Sequence, residues 1–515
     1  MSKQTRFRSH AALFLMGTVA LAGCKESTNS GNDTANQPQV QNTGAVQALV
    51  TPYLSGLQIT SVIDSDNDLP VASDATQTFI FGGSADGLGF FRNTDGTYTM
   101  LTNHEDTYAV SRVTLDKDLK PTKGEYFLTS KEGRYRLCSA TLATPEEHGF
   151  AAKTFLTCGE SGFDSQTHAL SAEGSIRPAD TRKAALGFWG AENAVPLPKT
   201  AFNNKTVILI GDDDSFGISS FGQLAIYVAD GMGNLDGGKV YVATRTDLKT
   251  TEMDMVTGAN YELEFKQVPY IPNTTTATEF RDACKSLDPV GFGRVEDIDY
   301  RKDGVGREVY FNVTGTSVSG DNLDYQRSKY GRVYKMDLPA DFATAAVKKA
   351  NLSVLLDGDS KINATTAAAR TSMKADGTAD ATSFTNVDNI CVTKDYIYIQ
   401  EDSNGYGDEQ HDAYIYQYNI GSKVMKVVME LNHFRTTTAP TVKSGSLAPP
   451  DARKGLWEYG AMVDVSAQTG LSDAFMICIQ PHSWNGTRYN NPEGEDNPRT
   501  DSQASQVILV RGLAR

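Results

Sequence analysis

The chain has 515 residues, with 48 basic against 63 acidic side chains and a formal net charge of −15. That balance argues against nucleic acid or an anionic surface as an electrostatic partner. It also repels phosphorylated substrates unless bound cations reverse the local field. The length is ample for a large core and exceeds an ordinary single domain.

Residues 1–23 read as an export signal. Lys3, Arg6 and Arg8 form a basic start, an apolar run covers Ala11 to Ala22, and small residues precede Cys24. Leu21-Ala22-Gly23-Cys24 resembles a bacterial lipoprotein box, so Cys24 is the expected site of lipidation and a membrane anchor. The expected location is the cell envelope, outer membrane or periplasmic face, with Lys25 rather than Asp favouring the outer membrane. No later run reaches the ~18 apolar residues of a spanning helix. Residues 24–48 are rich in Ser, Asn, Thr, Gly and Gln and read as a disordered tether. A single catalytic domain is expected over 49–515. Loss of the signal removes Lys3, Arg6 and Arg8, so 48 basic residues become 45 against 63 acidic, a net charge of −18.

Short β-rich runs fill the rest of the chain, among them Phe79–Phe81, Gly89–Phe91, Tyr98–Leu101, Val207–Ile210 and Leu224–Val228. Others follow at Lys239–Thr244, Val309–Val313, Gly331–Met336, Tyr396–Gln400, Tyr414–Tyr418, Ala474–Ile479 and Val507–Val510. Asn93-Thr94-Asp95-Gly96 fits a hairpin turn. Helical patterning is confined to Ala340–Ala350 and Thr276–Cys284. Many paired short strands without a linker predict an all-β fold, a β-propeller of five to six blades with short helical insertions. No repeat of fixed period sets the blade number.

At seven places a strand-like run meets acid: Asn103–Asp106, Leu156–Glu160, Gly190–Glu192, Gly211–Asp214, Arg294–Asp297, Gln400–Asp402 and Trp457–Tyr459. Carboxylates delivered by separate strands to one mouth make a hard-cation site, since calcium takes several anionic oxygens. A thiolate among them points to a softer metal such as iron or zinc. Without Cys24 five cysteines remain, an odd number that leaves at least one thiol unpaired. Cys391 and Cys478 lie in apolar runs, whereas Cys158, beside Gly159 and Glu160, sits in a poor setting for a packing residue. Asp64-Ser65-Asp66-Asn67-Asp68 lacks the glycine and glutamate of a calcium loop (Leu69 and Ala75 stand there) and reads as a polar turn. No GxSxG or HExxH occurs, which argues against a serine hydrolase or zinc peptidase.

The segments, in this order, resemble the PhoX-type bacterial alkaline phosphatases, a β-propeller family with an iron–calcium centre. The resemblance covers about Asp86 to Gly486. It rests on Asp86–Gly89, Asp95-Gly96 with Thr102–Glu105, Thr144-Pro145 with Leu156–Glu160, Ile210–Asp213 and Leu235–Ala243. Arg294-Val295-Glu296, Val387-Asp388-Asn389 and Ile479–His482 extend it. Departures are Gly159 where the family has an acid, Ala191 in place of a histidine, and Pro481-His482 in inverted order.

The resemblance implies Cys158 as an iron ligand, with Glu105, Glu192, Glu296, Asp402 and Glu458 as metal carboxylates and Glu160 and Asp213 as weaker candidates. It implies Arg294 as the group that grips substrate phosphate, sharing a strand face with Glu296. The expected cofactors are iron and calcium, and the expected partners are small phosphate esters and, through the lipid, a membrane; a monomer is expected. The implied function is an exported phosphatase releasing inorganic phosphate by a two-metal mechanism with a metal-bound oxygen nucleophile. The rival reading is a diverged, calcium-stabilised propeller lipoprotein that binds without catalysis, motivated by Gly159 and Pro481-His482. A calcium-dependent propeller lactonase is a third.

Overall fold

The computed structural model describes residues 37–515 apart from 161, 180, 204, 214–221, 317–326, 362–383, 404–410, 436, 449–452 and 496–502. The signal at 1–23, Cys24 and the first part of the tether lie outside the described residues. Pro38–Arg515 forms one compact unit.

That unit is a six-bladed β-propeller. The first blade runs Ala85–Arg92, Tyr98–His104, Ala109–Leu115 and Pro121–Leu128 from inside to outside. The second has three strands, Leu137–Ala143, Thr154–Gly159 and His168–Ser171. The third begins at Ala191–Pro196 and the fourth at Val295–Tyr300; their outer strands Asn260–Gln267 and Lys348–Asp357 pair, so the two blades read as one nine-stranded sheet. The fifth begins at Val387–Val392 and the sixth at Glu458–Asp464. Each innermost strand contacts those of both neighbours, and the sixth contacts the first, which closes the ring. N-terminal strands seal it: Gln58–Asp64 pairs with Gln506–Arg511 in the sixth blade, and Val50–Pro52 with Leu431–Met429 in the fifth.

The middle strands explain the apolar runs in the sequence. Both faces of a blade are covered by its neighbours, so Val207–Asp212 is buried throughout rather than alternately. Its residues divide by parity. Val207 and Leu209 join the core shared with the fourth blade, alongside Val295 and Phe311. Ile208 and Ile210 join the core shared with the second, alongside Leu156.

Two sequence expectations change in detail, and a third is met. Ala340–Ala350 is not a helix: its alanines favour one locally, but Lys348–Asp357 is a strand paired on both sides. Phe342 is buried in the core, and the Lys348 ammonium caps the Phe342 and Ala343 carbonyls. The Thr276–Cys284 expectation is met by helix Ala277–Lys285, with Thr276 and Glu279 forming a capping box. The packed unit also starts ahead of residue 49. Val46 is buried and donates its N–H to Asp64 Oδ2 at 2.7 Å, and Thr43 N–H bonds Ser61 O at 2.9 Å. No helix among the described residues is long and apolar enough to cross a membrane.

Candidate metal centre

At one end of the channel the six blades present the same local arrangement. Each innermost strand delivers a side chain at its first or second residue: Asp86, Cys138, Glu192, Glu296, Asp388 and Glu458. The neighbouring antiparallel strand ends at the same level, and the residue after its end is Glu105, Glu160, Asp213, Thr314 or Asp402 in the first five blades. In the sixth, His482 follows Gln480-Pro481. A β-bulge interrupts the pairing near this end in every blade, for instance between Ala85 and Leu88 and between Val295 and Ile298, and re-aims the first side chains inward.

A repeated backbone bond fixes the pairs. Glu105 N–H bonds Ser84 O, Glu160 bonds Arg136 O, Asp213 bonds Gly190 O, Thr314 bonds Arg294 O and Asp402 bonds Asn386 O, all between 2.8 and 3.1 Å. In each case the acceptor stands two residues before the inward-facing ligand. Arg136 and Arg294 therefore hold equivalent positions in the second and fourth blades. Arg294 has φ 73°, as Ser84 and Asn386 have φ 47° and 51° at the matching places. A left-handed conformation at an arginine costs free energy that the surrounding contacts must offset. Arg294 and Glu296 consequently meet through this turn, Nη2 to Oε1 at 2.7 Å, rather than as alternate residues of one extended strand.

The donors lie close together. Ligating atoms of Asp86, Glu105 and Cys138 fall within 4.8 Å of one another, as do those of Cys138, Glu160 and Glu192, and those of Glu192, Glu296 and Asp388. Around them lies a cavity of about 160 Å³, under a wider vestibule of about 390 Å³ lined by Arg136, Arg453 and His482. Protein groups orient some oxygens: Ser139 N–H bonds Glu192 Oε1 at 2.9 Å, and Gln480 Nε2 bonds Glu105 Oε1 at 2.9 Å. Others have none. Asp388 Oδ1 and Asp213 Oδ2 are buried without a hydrogen-bond partner among the described residues.

Arg294 is the main counter-charge, reaching Asp213 Oδ1 at 2.6 Å, Glu160 at 3.7 Å and Asp402 at 3.8 Å. Arg136 reaches Glu105 Oε2 at 3.2 Å, and His482 Nε2 reaches Glu458 Oε2 at 3.2 Å. Two guanidinium groups and one imidazole are outnumbered by these carboxylates. Burial, then neighbouring acids, pushes the carboxyls of Asp86, Glu192, Asp388 and Asp402 well above their ordinary values. Burial, then Asp213 and Glu105, lifts Glu160 to about 8. Glu458 goes the other way: burial opposes it, but the adjacent His482 holds it below the usual range. Buried like charges at this spacing call for cations. Carboxylate oxygens suit a hard ion such as calcium and the single thiol a softer one such as iron, so the donor set fits a mixed multi-cation centre.

The thiol is Cys138. Its Sγ contacts Glu160 Oε2 at 3.0 Å. Cys158, the sequence candidate, is elsewhere: its Sγ lies 3.3 Å from Thr167 Oγ1, in the apolar core between the second and third blades with Leu156, Ile208 and Ile210. It shares strand parity with Leu156 and so packs, and burial lifts its thiol to about 12. The structure brings together Glu105, Glu160, Glu192, Arg294, Glu296, Asp402 and Glu458 around the cavity, with Asp213 behind Arg294. Asp86, Cys138, Asp388, Arg136 and His482 complete the lining of the cavity and are site residues beyond those the sequence points to. The missed signal is an acid or cysteine followed by a short residue at the head of an inner strand: Asp86-Gly87, Cys138-Ser139, Glu192-Asn193, Glu296-Asp297 and Asp388-Asn389.

Two departures acquire physical content. A Cβ at Gly159 would lie 2.4 Å from Ser165 Oγ and 2.6 Å from Tyr135 Cβ, so no acid fits there without rearrangement. His482, despite the inverted Pro481-His482 order, lines both the cavity and the vestibule. The Asp64–Asp68 turn is no cation loop. Asp66 accepts from Lys443 N–H and Tyr489 OH at 2.7 Å each, and Asp68 pairs with Lys443 and Arg488. His104 is buried beside Ser111 Oγ at 2.8 Å and orients its turn. All five described cysteines are free and buried.

No protein-family model matches the chain, and no curated protein is similar to it. Among solved structures, Pseudomonas fluorescens PhoX in complex with vanadate, a transition state analogue, aligns with a TM-score of 0.61 at 12% identity, covering 92% of this chain and 98% of that one. The GH93 α-L-arabinofuranosidase of Fusarium graminearum with arabinobiose aligns with a TM-score of 0.37 at 8% identity, covering 88% and 98%. At these identities the likeness to PhoX is one of fold.

Proposed function

We propose that this protein is a metal-dependent phosphatase that releases inorganic phosphate from organic phosphate esters, exported and held at the cell envelope through lipidated Cys24. The observation that carries the reading is Arg294, its side chain 24% exposed, set among carboxylates that leave room for cations. The same fold in PhoX was captured with vanadate.

In this reading Cys138, Glu160 and Glu192 would hold iron, and Asp86, Glu105, Glu296, Asp388, Asp402 and Glu458 would hold further iron and calcium. Such a centre supplies Lewis-acid polarisation of the phosphoryl group and activation of the attacking oxygen. The chain's own part is positioning. Asp213 fixes Arg294 Nε and Glu296 takes one N–H of Nη2, which leaves N–H groups of Nη1 and Nη2 to take two phosphoryl oxygens. Arg136 stands across the cavity to orient the ester from the vestibule. The bulges and buried inner strands keep these groups from relaxing when substrate leaves.

The test is hydrolysis of p-nitrophenyl phosphate by the purified protein supplied with iron and calcium. Turnover is expected, with a loss of about 100-fold in Arg294→Lys, because an ammonium cannot grip two oxygens at once. Calcium bound without iron, and no turnover on any ester, would favour the non-catalytic binding propeller, to which the closed space at Gly159 already gives some weight.

A further inference from the structure

A separate cavity of about 280 Å³ opens beside the metal centre on the side of the third blade. That is near the lower end of the ~300–1,000 Å³ typical of small-molecule sites. It abuts the centre along the chain. Gly190 and Asp212 line the cavity, whereas Glu192 and Asp213, two residues and one residue further on, belong to the centre. Asp213 N–H bonds Gly190 O at 2.8 Å, so the two segments form one shared wall.

The walls are aromatic. Phe280 meets Trp189 at 5.0 Å and 87° and Phe188 at 6.0 Å and 64°, both edge to face. Helix Ala277–Lys285 explains the composition: Phe280 and Cys284 are buried, and Arg281 and Lys285, again four apart, stand on the rim. The Arg281 guanidinium lies 4.7 Å from the centroid of the half-exposed Phe163 ring, a flat cationic lip over an aromatic face. Gln223 also lines the cavity. No feature of the metal centre accounts for this pocket.

We infer that the cavity holds the leaving group of the ester, and that this group carries a flat aromatic ring, for which the base of a nucleoside serves as the probe. Aromatic faces and a guanidinium plane stack on any planar ring. The inference rests on the phosphatase reading for the ester, while the binding of the ring itself does not.

The experiment therefore separates the two. Adenosine and ribose are titrated into the full-length, metal-supplied protein by calorimetry, and kcat/KM is measured for adenosine 5′-phosphate and glycerol 3-phosphate. Saturable binding of adenosine but not ribose is expected. Phe163→Ala and Arg281→Ala should each weaken adenosine about tenfold, the effect of losing one stacking surface, and lower the ratio of the two kcat/KM values by a similar factor. Phe163 is exposed, so its truncation does not endanger folding. Adenosine binding without hydrolysis of either ester would remove the phosphatase reading and leave the pocket standing. No adenosine binding to the wild type, or binding undiminished in both variants, would overturn the pocket assignment.

Discussion

The two ends of the propeller channel are built from the same inner strands and treat charge in opposite ways. Beyond the metal centre the channel continues as a cavity of about 380 Å³ lined by Asp297, Asp299, Glu147 and Lys302. There the acids have protein donors. Asp297 accepts from Asn193 Nδ2 at 2.6 Å and from Ile298 N–H at 2.8 Å, and Asp299 from Val392 N–H at 2.7 Å and Lys302 at 2.6 Å. Glu147 is bonded by Tyr300 OH. At the other end donors are fewer, and most acids face one another, a thiol, one imidazole and two shared arginines. Buried carboxylates with donors lock a structure together; buried carboxylates without enough of them hold cations. Adjacent residues of one strand, Glu296 and Asp297, face these two environments.

That contrast is broken or sharpened by substitution, beginning with the largest effect. Glu296→Ala should lower turnover by about 1,000-fold and reduce the bound metal, since a ligand rather than a supporting group is lost; unchanged metal content by elemental analysis would contradict this. Next is pH. Glu160 is raised from an ordinary 4.5 to about 8 in the metal-free chain. The folded state then keeps a proton that the unfolded chain releases, so the Glu160 contribution to metal-free stability is greatest below pH 4.5 and falls as pH rises from there to about 8. Cations remove that penalty, so the gap in melting temperature between loaded and chelated protein should widen across this window. A constant gap would speak against a cation at Glu160.

Smaller effects follow. Gly159→Glu, which restores the acid of the resembling family, should cost about 2–3 kcal/mol in denaturant unfolding through overlap with Ser165 and Tyr135. A gain in metal binding without loss of stability would mean that the second blade yields more readily than its packing implies. Smallest is Asp297→Asn at the quiet end. It should cost about 1 kcal/mol of stability and leave turnover nearly unchanged in the same assay that condemns Glu296→Ala.

The middle strands are more legible in the sequence than the inner ones. Val207–Ile210 and Ala474–Ile479 are legible because blades cover both their faces. Ala191–Pro196 and Leu137–Ala143 are short, small and partly polar because they line a channel, so nothing in their hydrophobicity marks them. The acids after the middle strands, Glu105, Glu160, Asp213 and Asp402, were found by their position at strand ends. Asp86 and Asp388 were not, because each heads its strand ahead of the legible part, Gly89–Phe91 in one and the apolar run around Cys391 in the other. The two cysteines show the same limit. Cys158 stands two residues before Glu160, yet its parity with Leu156 turns it into the core. Cys138, unremarkable in sequence, heads the inner strand and reaches the centre. Choosing between them required knowing which strand lies innermost, a property of the closed ring rather than of any local segment.

The most direct test of the account is the metal content per chain of Cys138→Ala and Cys158→Ala beside the wild type, after reconstitution with iron and calcium. The account predicts that Cys138→Ala loses iron while Cys158→Ala retains it and is only less stable. Iron lost from Cys158→Ala and kept by Cys138→Ala would contradict it.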